Sequence, residues 1–330
     1  RRRSHVRDRA HQEGCGAGLR DASRRRPQAR APAPYRAVQE RGRQGRRDRI
    51  RGEAEADIQR TLTKLACQKV AIDSSPLLPG TRPIEVHYRE VGRGAPIVIL
   101  HGGWGYGFYP YDDAIAKLER RFVIPDRTGY GGSPHITELP REFHRAAAIE
   151  TEKLLDALRI ERPVLWGHSD GAIIATILAL RDPDHYDGII VEAIHLDREK
   201  PRSRNFFLQM IEDPDAFGER VTRKLAEEHG ADYWRTIIRA GGRAWRDIAA
   251  TPDEDFYEHR LDEMRVPMLV VHGVDDPRTE PGELDRIRRE VPSARIEMFE
   301  EGGHSPHSAP ATAARVTRVV GDFLASLSAR

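Results

Sequence analysis

Short apolar segments alternate with longer amphipathic segments from residue 68 to the end of the sequence. The short segments are rich in Val and Ile and are bounded by turn residues, which predicts β strands. Eight strands are predicted, at residues 69–73, 84–90, 97–101, 122–125, 164–166, 188–193, 268–272 and 295–299. Helical patterns occur between them at residues 111–120, 142–158, 171–181, 280–290 and 311–326. This alternation predicts an α/β fold, a mostly parallel eight-stranded sheet with helices on both faces.

One internal segment interrupts the alternation. Residues 196–264 are polar, helical in pattern and contain several aromatic residues. We interpret them as a helical cap inserted after the sixth strand, between core segments 68–195 and 265–330. Residues 1–67 lie outside this pattern and are predicted to be a basic, disordered extension, with one amphipathic helix at 53–66.

Charge is distributed very unevenly along the chain. Residues 1–52 contain 17 Arg, no Lys and five acidic residues, a net charge of +12, whereas the remainder has 37 basic and 47 acidic residues, a net charge of −10. A basic arm for nucleic acid is one interpretation of this extension. We favour an extension without a binding role, because it lacks both Lys and hydrophobic periodicity, and we do not expect nucleic acid as a partner.

Cysteine content and hydropathy limit the class of protein further. Cys15 and Cys67 provide neither a disulfide framework nor a metal cluster, which favours the reducing cytoplasm. The longest apolar run, residues 172–180, is too short to cross a bilayer. The charged N terminus has no apolar h-region, so no secretory signal is predicted. We expect no membrane partner.

The segment with the strongest chemical signal is G-x-S-x-G at residues 167–171. An apolar strand precedes it and an apolar helix follows it. This context is typical of a nucleophile elbow, a sharp strand-to-helix turn that exposes the serine hydroxyl above the sheet. Gly167 and Gly171 are expected there because side chains would prevent the close approach of strand and helix. Ser169 is therefore the predicted nucleophile; the alternative is a serine that only caps a helix.

A serine hydroxyl needs a general base, and the base needs an acid that orients it. His304 follows the last predicted strand and two glycines, and it is the predicted base. Asp275 and Asp276 both follow the strand at 268–272 and compete for the role of acid. Glu192, after its own strand, is a more distant alternative. The carboxyl ends of these strands meet at one edge of the sheet, where such folds bind their ligands.

A second glycine-rich loop follows the strand at residues 97–101. Acyl transfer needs two backbone N–H groups that converge on the developing oxyanion. We predict that Asp170 provides one and Gly103 the other, with Trp104 as the alternative to Gly103. Trp104 is also expected to contact the substrate. A phosphate-binding loop is disfavoured because the Lys-Ser/Thr pair of a P-loop is absent.

With these motifs in place, residues 68–328 resemble the α/β-hydrolase superfamily. Five segments match in the family's order: 101–103, 126–133, 167–171, 272–277 and 302–304. In the family's H-G-x-x-D-P pattern the Asp before Pro is the acid, so the resemblance selects Asp276 over Asp275. The segment that begins at Asp126 is a structural turn in the family, so Asp126 is not assigned a catalytic role.

Within that superfamily, the sequence is similar to the valacyclovir-hydrolase (biphenyl-hydrolase-like) group. The similarity is carried by the S-D-G elbow, by Tyr233-Trp234 and by the E-G-G-H segment that ends at His304. In this group the Asp after the nucleophile contacts the α-amino group of amino-acid esters, which implies substrate binding by Asp170. The alternative is that Asp170 only complements the dipole of its helix.

The predicted function is hydrolysis of a small carboxylic ester through an acyl-enzyme, with no metal or organic cofactor. Amides, including those of an aminopeptidase-like reaction, and C–C bonds are alternatives on the same three residues, because a fold does not determine its substrate. A ligand receptor without turnover is an alternative of another class.

Overall fold

The structure, a computed structural model, describes residues 66–328 of the chain. Eight strands form its single sheet: β1 (Ala66–Ile72), β2 (Ile84–Val91), β3 (Pro96–Leu100), β4 (Arg121–Pro125), β5 (Val164–His168), β6 (Gly188–Glu192), β7 (Met268–Gly273) and β8 (Arg295–Phe299). Eight α helices accompany them: α1 (Asp112–Lys117), α2 (Phe143–Leu158), α3 (Asp170–Arg181), α4 (Arg204–Glu212), α5 (Glu219–His229), α6 (Trp234–Ile248), α7 (Glu283–Glu290) and α8 (Ala313–Ser328).

The strand order is β1-β2-β4-β3-β5-β6-β7-β8. β1 and β2 pair antiparallel, as do β2 and β4, and all other pairs are parallel. Every residue of β5, β6 and β7 is buried, as expected for strands covered on both faces. The predicted fold class is confirmed.

Two apolar layers hold the sheet between helices. Alternate residues of a strand point to opposite faces. On β3, Ile97 and Ile99 belong to the layer beneath α1 and α8, whereas Val98 and Leu100 belong to the layer beneath α2 and α3. This double cover buries the central strands, whereas the edge strands β1 and β8 have exposed residues. The carboxyl ends of the central strands carry the predicted site.

The cap is the chain between β6 and β7, which contains α4, α5 and α6. α4 packs closely on α6, where a Cβ atom at Gly242 would come within 2.8 Å of the Cβ of Met210. Phe207, Trp234 and Trp245 are buried in the same apolar layer that extends over the sheet. The small residues of α6 therefore permit close packing of the cap helices, and its aromatic residues attach the cap to the core.

The first strand begins earlier in the chain than predicted. β1 begins at Ala66, two residues before the predicted start of the core, and Cys67 is an exposed residue of that strand. The predictions for residues 1–65, including most of the helix at 53–66, lie outside the described residues.

Among residues 66–328, no helix combines the length and apolar character that a bilayer span requires.

Candidate active site

The turn between β5 and α3 holds Ser169 in an unusual backbone conformation. Its φ and ψ are 54° and −116°, a region that residues other than glycine rarely adopt. A Cβ atom at Gly167 would overlap the carbonyl oxygen of Gly171, and one at Gly171 would overlap that of Leu100. The two glycines therefore allow the turn, and the turn carries Ser169 to the carboxyl edge of the sheet.

His304 and Asp276 lie side by side at this edge. The Nδ1 atom of His304 is 2.9 Å from Oδ2 of Asp276 and 3.0 Å from Oδ1. The backbone N–H of Arg278 donates to Oδ1 at 2.9 Å. Burial opposes ionisation of Asp276, but His304 and this N–H outweigh it and lower the pKa of the carboxyl group. The pair is therefore a carboxylate that accepts a hydrogen bond from an imidazole Nδ1–H.

The second ring nitrogen of His304 is available. Its Nε2 atom is buried and has no hydrogen-bond partner within residues 66–328. Burial lowers the pKa of His304, and the nearby charge of Arg278 lowers it further, against the opposing effect of Asp276. A neutral ring with Nδ1–H directed to Asp276 has its lone pair on Nε2, which is the atom that accepts a proton.

His168 connects Ser169 to the loop that carries His304. Its Nε2 atom lies 2.9 Å from the carbonyl oxygen of His304 and 2.8 Å from Oγ of Ser305. Burial lowers the pKa of His168 well below its ordinary value, so its ring is neutral. Because His168 directly precedes Ser169, this contact sets the position of the histidine loop relative to the serine turn.

The loop after β3 approaches the same turn. A Cβ atom at Gly103 would lie 2.9 Å from Oδ2 of Asp170, so only glycine fits without displacing that carboxylate. Within residues 66–328, the backbone N–H groups of Gly103, Trp104 and Asp170 donate to no acceptor. The geometry brings together all three residues that were predicted to form the oxyanion hole.

Asp170 is buried and held by groups from three directions. Its Oδ1 atom accepts a hydrogen bond from Nε1 of Trp245 at 3.0 Å and lies 3.2 Å from Nε2 of His144. Its Oδ2 atom is 3.5 Å from Nη2 of Arg127. Burial opposes ionisation, but His144, Arg127 and Trp245 outweigh it and lower the pKa of Asp170. Asp170 is therefore a paired carboxylate that connects the core to α6 of the cap.

One cavity contains Ser169, Asp170, His304 and the loop of Gly103 and Trp104. It encloses about 550 Å³, including its open mouth. Its wall includes several large apolar and aromatic side chains: Trp104, Tyr109, Phe206, Phe207, Met210 and Trp245. We call it the Ser169 cavity.

The structure separates the alternative acids from the predicted site. Asp275 accepts a hydrogen bond from the backbone N–H of Gly303 at 2.9 Å and does not contact His304. Glu192 lies beside a different histidine, with its Oε1 atom 2.8 Å from Nδ1 of His307. Asp126 accepts hydrogen bonds from Arg89 at 2.6 Å and from the Gly132 N–H at 2.9 Å, away from the Ser169 cavity.

Sequence reasoning missed the polar residues that surround Asp170 and the charged side chain of Arg278. Arg127 lies within a recognised motif and Arg278 directly follows another, but no local pattern indicates which cavity an arginine side chain enters. His144 and Trp245 lie on helices and resemble ordinary core residues in sequence. Within residues 66–328, no group of three or more His, Cys, Asp or Glu side chains is arranged to bind a metal ion.

Comparison with known proteins shows the family of the chain. The family model of the Alpha/beta hydrolase family matches residues 97–316. The chain belongs to the alpha/beta hydrolase family. Serine hydrolase BPHL of Homo sapiens is 26% identical to this hydrolase over 253 residues, covering 74% of the chain and 82% of the relative. The Mus musculus protein of the same name is 28% identical over 246 residues, covering 73% and 83%.

Solved structures share the fold. A thermophilic esterase from Thermogutta terrifontis superimposes on this hydrolase with a TM-score of 0.61 and 21% sequence identity. The match covers 79% of this chain and 99% of the esterase. The predicted resemblance to the α/β-hydrolase superfamily, and its looser form to the BPHL-like group, is confirmed.

Proposed function

We propose that this hydrolase cleaves a small carboxylic ester through an acyl-enzyme on Ser169. One observation carries the proposal: His304 contacts Asp276 through Nδ1, its Nε2 has no partner among residues 66–328, and the residue lines the same cavity as Ser169. A base oriented in this way activates a serine hydroxyl, and catalytic hydrogen bonds often shorten only when substrate binds.

The proposed reaction has two halves. In the first half, Ser169 Oγ attacks the ester carbonyl, its proton passes to His304 Nε2, and His304 returns the proton to the departing alcohol. In the second half, His304 takes a proton from the water that attacks the acyl-enzyme, and it then gives this proton to Ser169 Oγ as the C–O bond to Ser169 breaks and the acid is released. Asp276 stabilises the imidazolium that forms in each half. Besides water, the reaction uses only side chains and backbone N–H groups of this chain.

The negative charge of each tetrahedral intermediate needs donors that are already in place. The unpaired N–H groups of Gly103 and Asp170, with Trp104 as the alternative to Gly103, are the proposed oxyanion hole. Asp170 is the first residue of α3, so its N–H also lies at the positive end of the helix dipole. Loss of one such donor typically costs about 10²- to 10³-fold in kcat.

The contacts of Asp170 bear on the α-amino ester proposal. Its charge is already offset by Arg127, and its Oδ1 atom is occupied by Trp245. An ammonium group of a substrate would have to share Oδ2 with Arg127, and like charges that share one carboxylate oppose each other. These contacts favour a different role for Asp170, that of joining the cap to the elbow and shaping the cavity wall.

The test combines covalent labelling with an ester panel. We expect a fluorophosphonate probe to label Ser169 and p-nitrophenyl acetate to be hydrolysed, with both activities lost in Ser169→Ala. Ser308→Ala is the matched control, since Ser308 lies outside the Ser169 cavity and donates only to the carbonyl oxygen of Ser305. Turnover that survives in Ser169→Ala would contradict the proposed nucleophile.

The same panel separates the competing functions. A p-nitroanilide and an ester with the same acyl group compare amide with ester cleavage, and an amino-acid ester beside its deaminated analogue tests Asp170 as an ammonium contact. A folded protein that binds these compounds but turns over no ester or amide would instead support the receptor alternative.

A further inference from the structure

Arg278 brings a positive charge into the Ser169 cavity. It comes two residues after Asp276, and its side chain lines the cavity together with Ser169 and His304. The guanidinium carbon lies 3.9 Å from the centre of the Phe206 ring and 5.9 Å from that of Trp104. Phe206 belongs to α4 of the cap and Trp104 to the loop after β3, so aromatic rings from both parts of the protein fix the guanidinium.

The guanidinium of Arg278 has no acceptor among the described residues. The hydrogen bond that Arg278 does make, to Asp276, comes from its backbone N–H. Tyr109, Asp276 and Asp170 are close enough to act on its charge, but none of them accepts a hydrogen bond from its side chain. Stacking covers the face of a guanidinium and leaves the N–H donors along its edge free.

The other charged groups of the cavity are paired, which makes Arg278 exceptional. Lys200 forms a buried ion pair with Glu283. Asp170 is paired with Arg127 at 3.5 Å, and Asp276, beside the cavity, accepts a hydrogen bond from His304 at 2.9 Å. The cavity wall therefore carries one cation, Arg278, that forms neither an ion pair nor a side-chain hydrogen bond with a carboxylate of residues 66–328.

Arg278 is half-buried, so its charge is only partly exposed to water and has no anionic partner within hydrogen-bonding distance among residues 66–328. Burial lowers the pKa of Arg278, while Tyr109, Asp276 and Asp170 oppose that effect. A guanidinium stays protonated under such conditions and keeps its charge. The planar group that best fits its edge is a carboxylate, which accepts two parallel N–H hydrogen bonds.

Building on the ester hydrolysis proposed above, we propose that Arg278 binds a carboxylate of the substrate. The substrate class is then an ester in which one half, acyl or alcohol, carries a free carboxylate group. In this arrangement the ester carbonyl lies at Ser169 and the carboxylate lies at the free edge of the Arg278 guanidinium. Arg278 is a residue that determines specificity, and it takes no proton in the reaction.

The test compares esters that differ only in charge. Monomethyl glutarate carries the carboxylate on its acyl half, and methyl 4-carbamoylbutanoate replaces that group with a neutral amide of the same shape. The corresponding pair for the alcohol half is 4-acetoxybutanoate and 4-acetoxybutanamide. We expect kcat/KM to favour the anionic member of at least one pair by about 10- to 100-fold, the usual range for hydrogen bonds to a charged group. Equal values within both pairs would overturn the proposal.

Substitutions assign the preference to Arg278. Arg278→Met keeps a long side chain that stacks on Phe206 but removes the charge, so the anionic preference should fall to about one, mainly through KM. Arg278→Lys keeps a point charge without the planar edge and should give an intermediate ratio. Arg318→Met removes an exposed arginine of α8 and is the matched control, with an unchanged ratio. A preference that persists in Arg278→Met would contradict the assignment.

A binding measurement keeps this proposal separate from that of catalysis. Calorimetric titration with glutarate and with glutaramide requires no turnover. If no ester is cleaved and Ser169 is not labelled, ester hydrolysis is wrong, and the titration alone decides the role of Arg278. Glutarate binding that is lost in Arg278→Met supports a carboxylate site, whereas absent or unchanged binding contradicts it. If Arg278→Met does not fold, Arg278→Lys provides the test, and an unchanged ratio and affinity would overturn the proposal.

Discussion

Among the buried histidine–carboxylate pairs near the carboxyl ends of the central strands, two have almost identical first contacts. His304 Nδ1 lies 2.9 Å from Asp276, and His307 Nδ1 lies 2.8 Å from Glu192. The difference is at the other ring nitrogen. Nε2 of His307 lies 2.9 Å from the carbonyl oxygen of Tyr109, whereas Nε2 of His304 has no partner within residues 66–328.

This difference shows that a histidine–carboxylate contact does not by itself make a catalytic base. The His307 ring is held at both nitrogens and stacks on Tyr111, with 3.8 Å between ring centres. It attaches the loop after β8 to the end of β6, through Glu192, and to the carbonyl oxygen of Tyr109. His304 has the same kind of acid partner, but its second nitrogen has no partner among residues 66–328, and the residue lines the Ser169 cavity. The free nitrogen, and not the carboxylate, distinguishes the two pairs.

The largest expected effect comes from replacing each histidine in turn. His304→Ala removes the proposed base and should reduce kcat for p-nitrophenyl acetate by about 10⁶-fold, as for other members of a triad that act as one unit. His307→Gln should change kcat less than tenfold and instead lower the free energy of unfolding by about 1–3 kcal/mol, because Glu192 loses a buried partner. Steady-state rates and urea unfolding measure the two effects. Comparable losses of rate in both variants would contradict the distinction.

Replacing the two carboxylates should show the same contrast in activity as replacing the two histidines. Asp276→Asn is expected to reduce kcat by about 10⁴-fold, because the amide favours the wrong tautomer of His304. Glu192→Gln keeps an oxygen that can accept from His307 and should retain most of the activity. Single-turnover rates of acylation compare the variants. If Glu192→Gln lost as much activity as Asp276→Asn, Glu192 would have to act on the base.

The pH dependence of activity provides a third comparison. Burial and Arg278 lower the pKa of His304 from its ordinary value of 6.5, so the neutral base persists at mildly acidic pH. The acid limb of kcat/KM for an uncharged ester should therefore have its midpoint below pH 6.5. Arg278→Met removes one lowering influence and should move that midpoint to higher pH.

Two results would contradict this explanation of the pH profile. His307→Gln should leave the midpoint where it is, and a shift in that variant would mean that the limb does not report His304 alone. A midpoint that moves to lower pH in Arg278→Met would mean that the arginine does not act on the histidine through its charge.

The smallest effect is expected at the acid next to Asp276. Asp275→Asn keeps an oxygen that can accept the hydrogen bond from the Gly303 N–H. We expect a loss of less than tenfold in kcat and a change of about 0.5–1.5 kcal/mol in the free energy of unfolding at most. A fall in rate that approaches that of Asp276→Asn would mean that the two neighbouring acids share the role.

Much of the core could be predicted from local pattern. All eight strands were predicted, and β8 has the bounds predicted for it; most other ends differ by one to three residues. Helix ends were less accurate, and α1 ends at Lys117, whereas its pattern extended to residue 120. Apolar periodicity reports which residues are buried, but the last turn of a helix depends on contacts made by distant parts of the chain.

The candidate site also has a part that the sequence predicts and a part that it does not. The residue types and motif order around Ser169, Asp276 and His304 are local properties, so the sequence could nominate them. Neither the pairing of Asp170 with Arg127 and Trp245 nor the lack of an ion pair at the Arg278 side chain could be predicted in this way. Each depends on which side chains from separate segments enter one cavity.

The sequence by itself determined the layered α/β architecture, because period-two and helical apolar patterns act over short distances. It also determined the sharp turn at Ser169, which Gly167 and Gly171 permit through their missing side chains. Only the tertiary structure decided that His304 and not His307 keeps a ring nitrogen without a partner among residues 66–328. It also decided that the Arg278 side chain forms no ion pair with a carboxylate of those residues. Hydrogen-bond and charge balance are sums over all neighbours in space, and most of those neighbours are far apart along the chain.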